Sequence, residues 1–319
     1  MREREVLDVR LEWGEGDFGL GEAAPLEPYD RVPLAAVVAA LQAYEAVLRD
    51  AGPDAGHAEL LAACAAERDL PHALAAIDLA LWDRAGRRSG RPVAQLLAAG
   101  AAESVAVNAT IGAEDRAGAA ADAAAAVSAG FECVKVKVGI GDDGGRVAAV
   151  RAAIGPDVAI RVDANGAWSN AHESLVNLRA LALVGLEYAE EPVHGIDALR
   201  AVRAASPVPI AMDETAAEPG AVASGATDAV CLKVGRCGGL TGLMRDARAA
   251  RAAGSEVYVA SAFDGPLGVA AGVHAAAALG ATRPLPPCGL ATLGLFEGLE
   301  DVLPPIGGMI AVPERPGLL

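Results

Sequence analysis

The chain has 319 residues, of which 53% are hydrophobic and only 3% aromatic, and it carries a formal net charge of -16. That acidity excludes nucleic acid or an anionic membrane surface as the partner, because either needs a basic face. What remains is a small molecule whose anionic groups must be met by a metal or by particular Lys and Arg side chains.

Met1, Arg2, Glu3, Arg4 and Glu5 open the chain with no apolar run behind them, so no signal peptide is read there. No stretch reaches the roughly 18 to 20 apolar residues of a membrane span; the Ala-rich run 117–126 is interrupted by Asp122 and reads as helix. The five cysteines (Cys64, Cys133, Cys231, Cys237, Cys288) are scattered without a CxxC pair. Neither a disulfide framework nor a thiolate zinc site is expected, and a reducing cytoplasm is the expected location.

A strand-like run at 6–13 leads through a turn at 14–16 to a second short run ending Gly21-Glu22-Ala23-Ala24-Pro25. Helical periodicity follows at 33–49 and 70–83. This is an α+β cap, and its segments near 18–22, including Leu20, and near 45–56 are expected to close over a substrate. From residue 104 onward, β-type runs at 104–111, 132–138, 158–163, 186–190, 208–213, 229–234 and 256–261 alternate with helical stretches at 113–129, 144–153, 170–183, 196–204, 220–224 and 239–253. Alternation of this kind marks a parallel sheet.

Alternation alone does not separate a barrel from an open doubly wound sheet; the polar residues do. Lys137, Asp163, Glu190, Asp213 and Lys233 fall at strand ends, separated by 26, 27, 23 and 20 residues, each about one strand-helix unit. Barrel enzymes bring reactive groups to one face in this way. The expected fold is α/β: a (β/α)7β TIM-like barrel over 101–285, with an α+β capping domain formed by residues 1–100 and a C-terminal tail, 286–319, returning to that cap. Pro284, Pro286, Pro287, Pro304 and Pro305 make the tail too proline-rich for regular structure.

Three carboxylates at adjacent strand ends, Asp163, Glu190 and Asp213, would repel one another without a positive charge among them, and a hard dication answers that need. Mg2+ favours carboxylate oxygens and leaves positions for substrate oxygens, with Mn2+ as its substitute. The chain holds only three lysines, Lys135, Lys137 and Lys233, against twenty-three arginines. Arg stays protonated, whereas Lys can act as a base when its surroundings allow. Alternation puts Lys135 and Lys137 on one face of their strand, and Lys137 and Lys233 approach the cluster from opposite sides. A substrate carboxylate held there by Mg2+ acquires a removable α-proton.

Lys135-Val-Lys137, Asp163-Ala-Asn165, Glu190-Glu191-Pro192, Asp213-Glu214-Thr215 and Lys233-Val-Gly235 resemble the ordered motif set of the enolase superfamily, muconate-lactonizing subgroup, and Gly21-Glu-Ala-Ala-Pro25 resembles its capping-domain loop. The resemblance implies metal ligation by Asp163, Glu190 and Asp213, acid/base roles for Lys137 and Lys233, and a supporting role for Lys135. The stretch Arg161-Val-Asp-Ala-Asn-Gly-Ala-Trp168 is similar to the o-succinylbenzoate synthases of menaquinone biosynthesis. That similarity implies syn elimination of water through an ene-diolate, with Lys137 as base and Lys233 stabilising charge. The strand end Ser261-Ala-Phe263-Asp264 has no His, unlike the mandelate-racemase-like subgroup, and lacks the Asp-x-Asp of dipeptide epimerases. The alternatives are an N-acylamino acid racemase or dipeptide epimerase, a muconate-type cycloisomerase, and, from another class, a catalytically silent barrel used for binding.

Arg161, Asn165, Glu191, Glu214, Gly235, Ser261 and Gly265 are expected to support the site or line the substrate, although Ser261 could equally cap the next helix. His57, His72, His172, His194 and His274 have no HxxxH or HExxH spacing. His194 reads as a loop histidine facing water, and Gly235-Arg-Cys-Gly-Gly239 as a loop rather than a phosphate cradle. Oligomeric state has no signature in the sequence.

Overall fold

The computed structural model describes residues 3–51, 55–112 and 115–319. Met1 and Arg2, residues 52–54 of the expected capping loop and the expected helix start at 113 lie outside them.

In the cap, β1 (Leu7–Gly14) and β2 (Asp17–Ala23) form an antiparallel hairpin. Alternate residues of β1, from Leu7 through Trp13, are half-buried, as one covered face requires. Four helices follow: α1 (Glu27–Asp30), α2 (Leu34–Asp50), α3 (His57–Glu67) and α4 (Pro71–Ser89). The last opens on a proline, whose missing N–H is harmless in a first turn, and stops at Gly90 in the left-handed conformation. β2 lies directly on α4. A Cβ at Gly19 would sit 1.8 Å from the Ala80 carbonyl oxygen, and one at Gly21 1.9 Å from that of Ala76. Only glycine on the strand permits that approach, and small Ala one turn apart completes it. Leu20 therefore sits inside a strand, where its N–H donates to Asp83 Oδ2 at 2.9 Å, rather than in a closing loop. Residues 45–50 likewise finish α2 instead of forming a lid.

After α5 (Val93–Leu97), the expected run 104–111 splits into β3 (Ser104–Ala106) and β4 (Ala109–Ile111). The barrel continues through α6 (Arg116–Ser128), β5 (Cys133–Lys137), α7 (Asp143–Ile154), β6 (Ala159–Asp163), α8 (Ala171–Leu181), β7 (Tyr188–Glu190), α9 (Ile196–Ala205), β8 (Ile210–Met212), β9 (Ala229–Leu232), α10 (Leu240–Ala252), β10 (Glu256–Val259) and α11 (Pro266–Gly280). Strands β4 to β10 form one parallel seven-stranded sheet in sequence order. Its ends meet through residues 288–289: Cys288 bonds Ala106 and Asn108, and Gly289 bonds Val259 and Ser261. The α/β barrel and its cap are thus the architecture expected.

Two differences have physical causes. No helix forms at 220–224; a 3-10 turn at Glu214–Ala217 connects β8 to the loop before β9, because Pro219 and Gly220 break so short a segment. Helix α11 lies beyond the last expected helix. It is apolar all round and buried along most of its length between α5, α10 and β10, so it shows no amphipathic period.

In the tail, β11 (Met309–Ala311) pairs antiparallel with β3, a strand formed in the interval between Pro305 and Pro313. Leu318 N then donates to Asp83 Oδ1 in α4 at 2.8 Å. Buried cap carboxylates dock on barrel helices. Glu22 accepts from Gly265 N (2.7 Å) and Leu267 N (3.2 Å) at the start of α11, and Asp78 accepts from Thr241 N (2.9 Å) at the start of α10. Both use free N–H groups at a positive helix end. Among the described residues no helix is long and apolar enough to cross a membrane.

Candidate active site

Parallel register sets the geometry. Lys137 pairs with Asp163 across β5 and β6, and Asp163 with Glu190 across β6 and β7, so three charged side chains leave the barrel at one level. Lys137 Nζ donates to Asp163 Oδ2 at 2.7 Å and also to Asn165 Oδ1. Lys135, one layer deeper, bridges Asp163 Oδ2 and Glu190 Oε1, both at 2.7 Å. On the far side Lys233 donates to both oxygens of Asp213, and Arg236 Nη1 reaches Asp213 Oδ1 at 2.9 Å. The five expected strand-end charges therefore form one cluster.

Burial shapes their ionisation. It pushes the Glu190 carboxyl up to about 7, against the pull of Lys135. The same desolvation acts on Asp163 and Asp213, but Lys135 and Lys137 hold the first, and Lys233 and Arg236 the second, below the ordinary carboxylate range. Burial opposes the charged form of Lys233, yet Asp213 holds that ammonium above its usual value. The two lysines are unlike: the Lys137 side chain is 31% exposed, that of Lys233 only 10%.

Asp163, Glu190 and Asp213 supply hard oxygen donors from three adjacent strands, a donor set that suits Mg2+. Ligand atoms of Glu190 and Asp213 lie within 4.8 Å of each other and of the Cys231 thiol. These residues fit a divalent cation.

Other expected residues serve as supports. Glu191 is buried and accepts from Asp213 N (2.8 Å), Thr215 N (3.0 Å) and the Thr215 hydroxyl, fixing the loop that carries Asp213. Asn165 Nδ2 donates to Glu214 Oε1 at 2.9 Å. Asn165 and Glu191 have φ of 45° and 40°, left-handed backbone that is uncommon without glycine and typical of functional loops. Ser261 accepts from Asp264 N at 2.8 Å, closing the turn before α11, while Gly265 binds Glu22 and Gly235 lies under His72. Arg161 departs from expectation. It is buried in the barrel interior two residues before Asp163, pairs with Glu187 at 2.6 Å, donates to the Pro287 carbonyl and lies over the Tyr188 ring. It belongs to the barrel floor.

Sequence reading passed over several participants. Cys231 and Tyr258 were legible by alternation within their strands, Cys231 two residues before Lys233; Tyr258 Oη donates to Glu190 Oε2 at 2.8 Å. Arg236 and the cap residue Asp30 carry no periodic signal. Arg236 Nε meets Asp30 Oδ1 at 2.7 Å, and His72 Nε2 lies 3.2 Å from Asp30 Oδ2. His194 is half-exposed and bonded to Glu191 Oε1 at 2.9 Å, a contact that raises its pKa.

A cavity of about 620 Å³ opens at the barrel mouth, between Tyr29, Asp30 and Arg31 of the cap and Asn165, His194 and Glu214 of the barrel. A larger groove of about 1010 Å³ runs between β1 and α2 on the cap, away from the carboxylates, so size alone does not mark the site. The described segment that covers the mouth is 28–31, after the Gly-Glu-Ala-Ala-Pro stretch, whereas residues 45–50 lie in α2.

Residues 118–318 match the family described as enolase C-terminal domain-like, and residues 1–98 the mandelate racemase / muconate lactonizing enzyme N-terminal domain. The N-succinyl-L-Arg/Lys racemase of Bacillus cereus is 34% identical over 215 residues, covering 65% of this chain and 58% of that protein. Its crystal structure superposes with a TM-score of 0.91 and 27% identity, over 99% of this chain and 87% of that one. The o-succinylbenzoate synthase of Thermobifida fusca is 39% identical over 224 residues, 66% of this chain and 67% of that one. A dipeptide epimerase from Cytophaga hutchinsonii, solved with Mg and D-Ala-L-Val, gives a TM-score of 0.84 at 25% identity over 98% of this chain and 87% of that one. The chain belongs to the enolase superfamily.

Proposed function

We propose that the chain is a cytoplasmic o-succinylbenzoate synthase of menaquinone biosynthesis, a Mg2+-dependent hydro-lyase converting 2-succinyl-6-hydroxy-2,4-cyclohexadiene-1-carboxylate to 2-succinylbenzoate. The observation that carries this reading is the inequality of the two lysines. Lys137 is the more open and donates to one Asp163 oxygen and to the Asn165 amide, whereas Lys233 is buried and clamped by both oxygens of Asp213. One base and one fixed cation suit an elimination on a single face. Similarity to the Thermobifida fusca synthase supports the same reading.

Asp163, Glu190 and Asp213 would hold the Mg2+, with Mn2+ as a substitute. The cation supplies Lewis-acid polarisation of the substrate carboxylate, which acidifies the neighbouring C–H. Lys137 in its neutral form takes that proton and returns it to the departing hydroxyl on the same face. Lys233 remains an ammonium on the other face, where it offsets developing negative charge. Lys135 fixes Asp163 and Glu190 relative to each other, and Asn165 aims Lys137.

The second reading, an N-succinylamino acid racemase, is favoured by the similarity to the Bacillus cereus enzyme and requires Lys233 to exchange protons as well. Absorbance-monitored turnover of the cyclohexadiene substrate with Mg2+, with EDTA and with Lys137→Ala tests the first reading. Metal-dependent turnover lost in the variant is the expected result. A folded wild type that leaves this substrate untouched but exchanges the α-proton of N-succinylamino acids in D2O would replace it with the second.

A further inference from the structure

The lysines and carboxylates act at one carbon, and the remainder of the substrate must occupy the cavity above them. Its cap wall is the short segment Tyr29-Asp30-Arg31. Asp30 is not available to a ligand. Its side chain is 1% exposed and is engaged by Arg236, His72 and the Leu26 N–H. Because Arg236 also binds Asp213, that anchorage ties the cap segment to the carboxylate cluster itself.

The next residue is held by its backbone as the cap of α1. Arg31 N donates to Glu27 O at 2.9 Å, closing α1, and its φ of 55° places it in the left-handed region. Its side chain is exposed at the mouth, and its guanidinium makes no hydrogen bond or ion pair with any described residue. Across the cavity stand Asn165, which orients Lys137, and His194, which is tied to Glu191. Glu214, on the same wall, is engaged by Asn165. A chain of net charge -16 thus keeps, at the entrance to its own acidic site, a backbone-fixed cation with no partner among the described residues. Guanidinium binds carboxylate through two parallel N–H···O bonds, and a fixed backbone lowers the ordering cost.

We infer that Arg31 receives a second carboxylate of the substrate, the distal carboxylate of a succinyl group, and so selects dianionic substrates over those with an uncharged acyl chain. The inference rests on the reading that the first carboxylate is held at the Asp163–Glu190–Asp213 cluster. Asn165, which contacts Lys137 of that cluster, lines the same cavity as Arg31.

The test is calorimetric titration of the Mg2+-loaded protein with 2-succinylbenzoate and with 2-(4-methylpentanoyl)benzoate, in which an uncharged branched end of similar shape replaces the distal carboxylate. Wild type, Arg31→Met and Arg31→Lys are compared. Wild type should favour the succinyl compound about tenfold or more, the range of one charge-assisted contact at a partly open site. Arg31→Met should abolish the preference by weakening the succinyl compound, and Arg31→Lys should retain part of it. Preference that survives Arg31→Met, or equal binding of the two compounds by wild type, overturns the role of Arg31 while turnover of the cyclohexadiene still supports the synthase. Binding of neither compound, together with absent turnover, overturns both.

Discussion

Arg236 Nε lies 2.7 Å from Asp30 Oδ1, so a guanidinium from the loop after β9 joins the cap to the barrel while its Nη1 holds Asp213. All three side chains are nearly inaccessible to water, where removing one partner strands a buried charge. Arg236→Met should cost about 3 kcal/mol in denaturant unfolding and raise KM more than it lowers kcat. A double variant with Asp30→Asn should lose less than the sum of the singles, because the two changes remove one shared contact. Additive losses would mean that the contact contributes nothing to the joint.

Lys137→Ala should reduce turnover by about 100-fold to 10,000-fold with little change in folding, as expected for loss of a general base from a partly open position. Lys233→Ala should also abolish turnover, but it leaves Asp213 less compensated and should shift the unfolding midpoint as well. Substrate α-proton exchange in D2O separates the roles. Exchange lost in Lys137→Ala but detectable in Lys233→Ala is the expected pattern, and the reverse would exchange the assignments.

The cluster was legible because its residues are rare and evenly spaced: three lysines in the whole chain, two of them at strand ends one repeat unit from a carboxylate. Parallel register converts that spacing into proximity. The cap was less legible, since Gly19 and Gly21 read as loop residues until Ala76 and Ala80 are set against them. α11 lacks a polar stripe and so lacks a period. Arg31 and Arg236 belong to irregular segments whose positions depend on contacts distant in sequence, and no local pattern marks them among twenty-three arginines.

Metal should stabilise the fold as well as the reaction. The carboxylates of Asp163, Glu190 and Asp213 are buried together, so a cation that binds only the native state raises stability by about 2.7 kcal/mol at a hundredfold excess over its dissociation constant. Thermal unfolding with Mg2+ and after chelation should differ by several degrees. Asp213→Asn should abolish that difference and also lower the metal-free midpoint, because it leaves the buried Lys233 and Arg236 without their carboxylate. A variant that still responds fully to Mg2+ would remove Asp213 from the ligand set.

His274 makes stability depend on pH in a defined window. On α11 its Nδ1 accepts from Ala94 N at 3.1 Å and its Nε2 donates to Leu318 O at 2.9 Å, linking α5 and the tail to the barrel. Burial pushes its pKa down from 6.5 to about 4, so the unfolded chain binds the additional proton. The neutral ring's contribution is complete above about pH 6.5 and is lost progressively toward pH 4, to a total of about 3 kcal/mol. His274→Gln preserves one donor and one acceptor without titrating, so its unfolding free energy should fall less steeply than that of wild type between pH 6.5 and 4.5. Equal slopes for the two proteins in that interval would show that His274 is not the group protonated on unfolding.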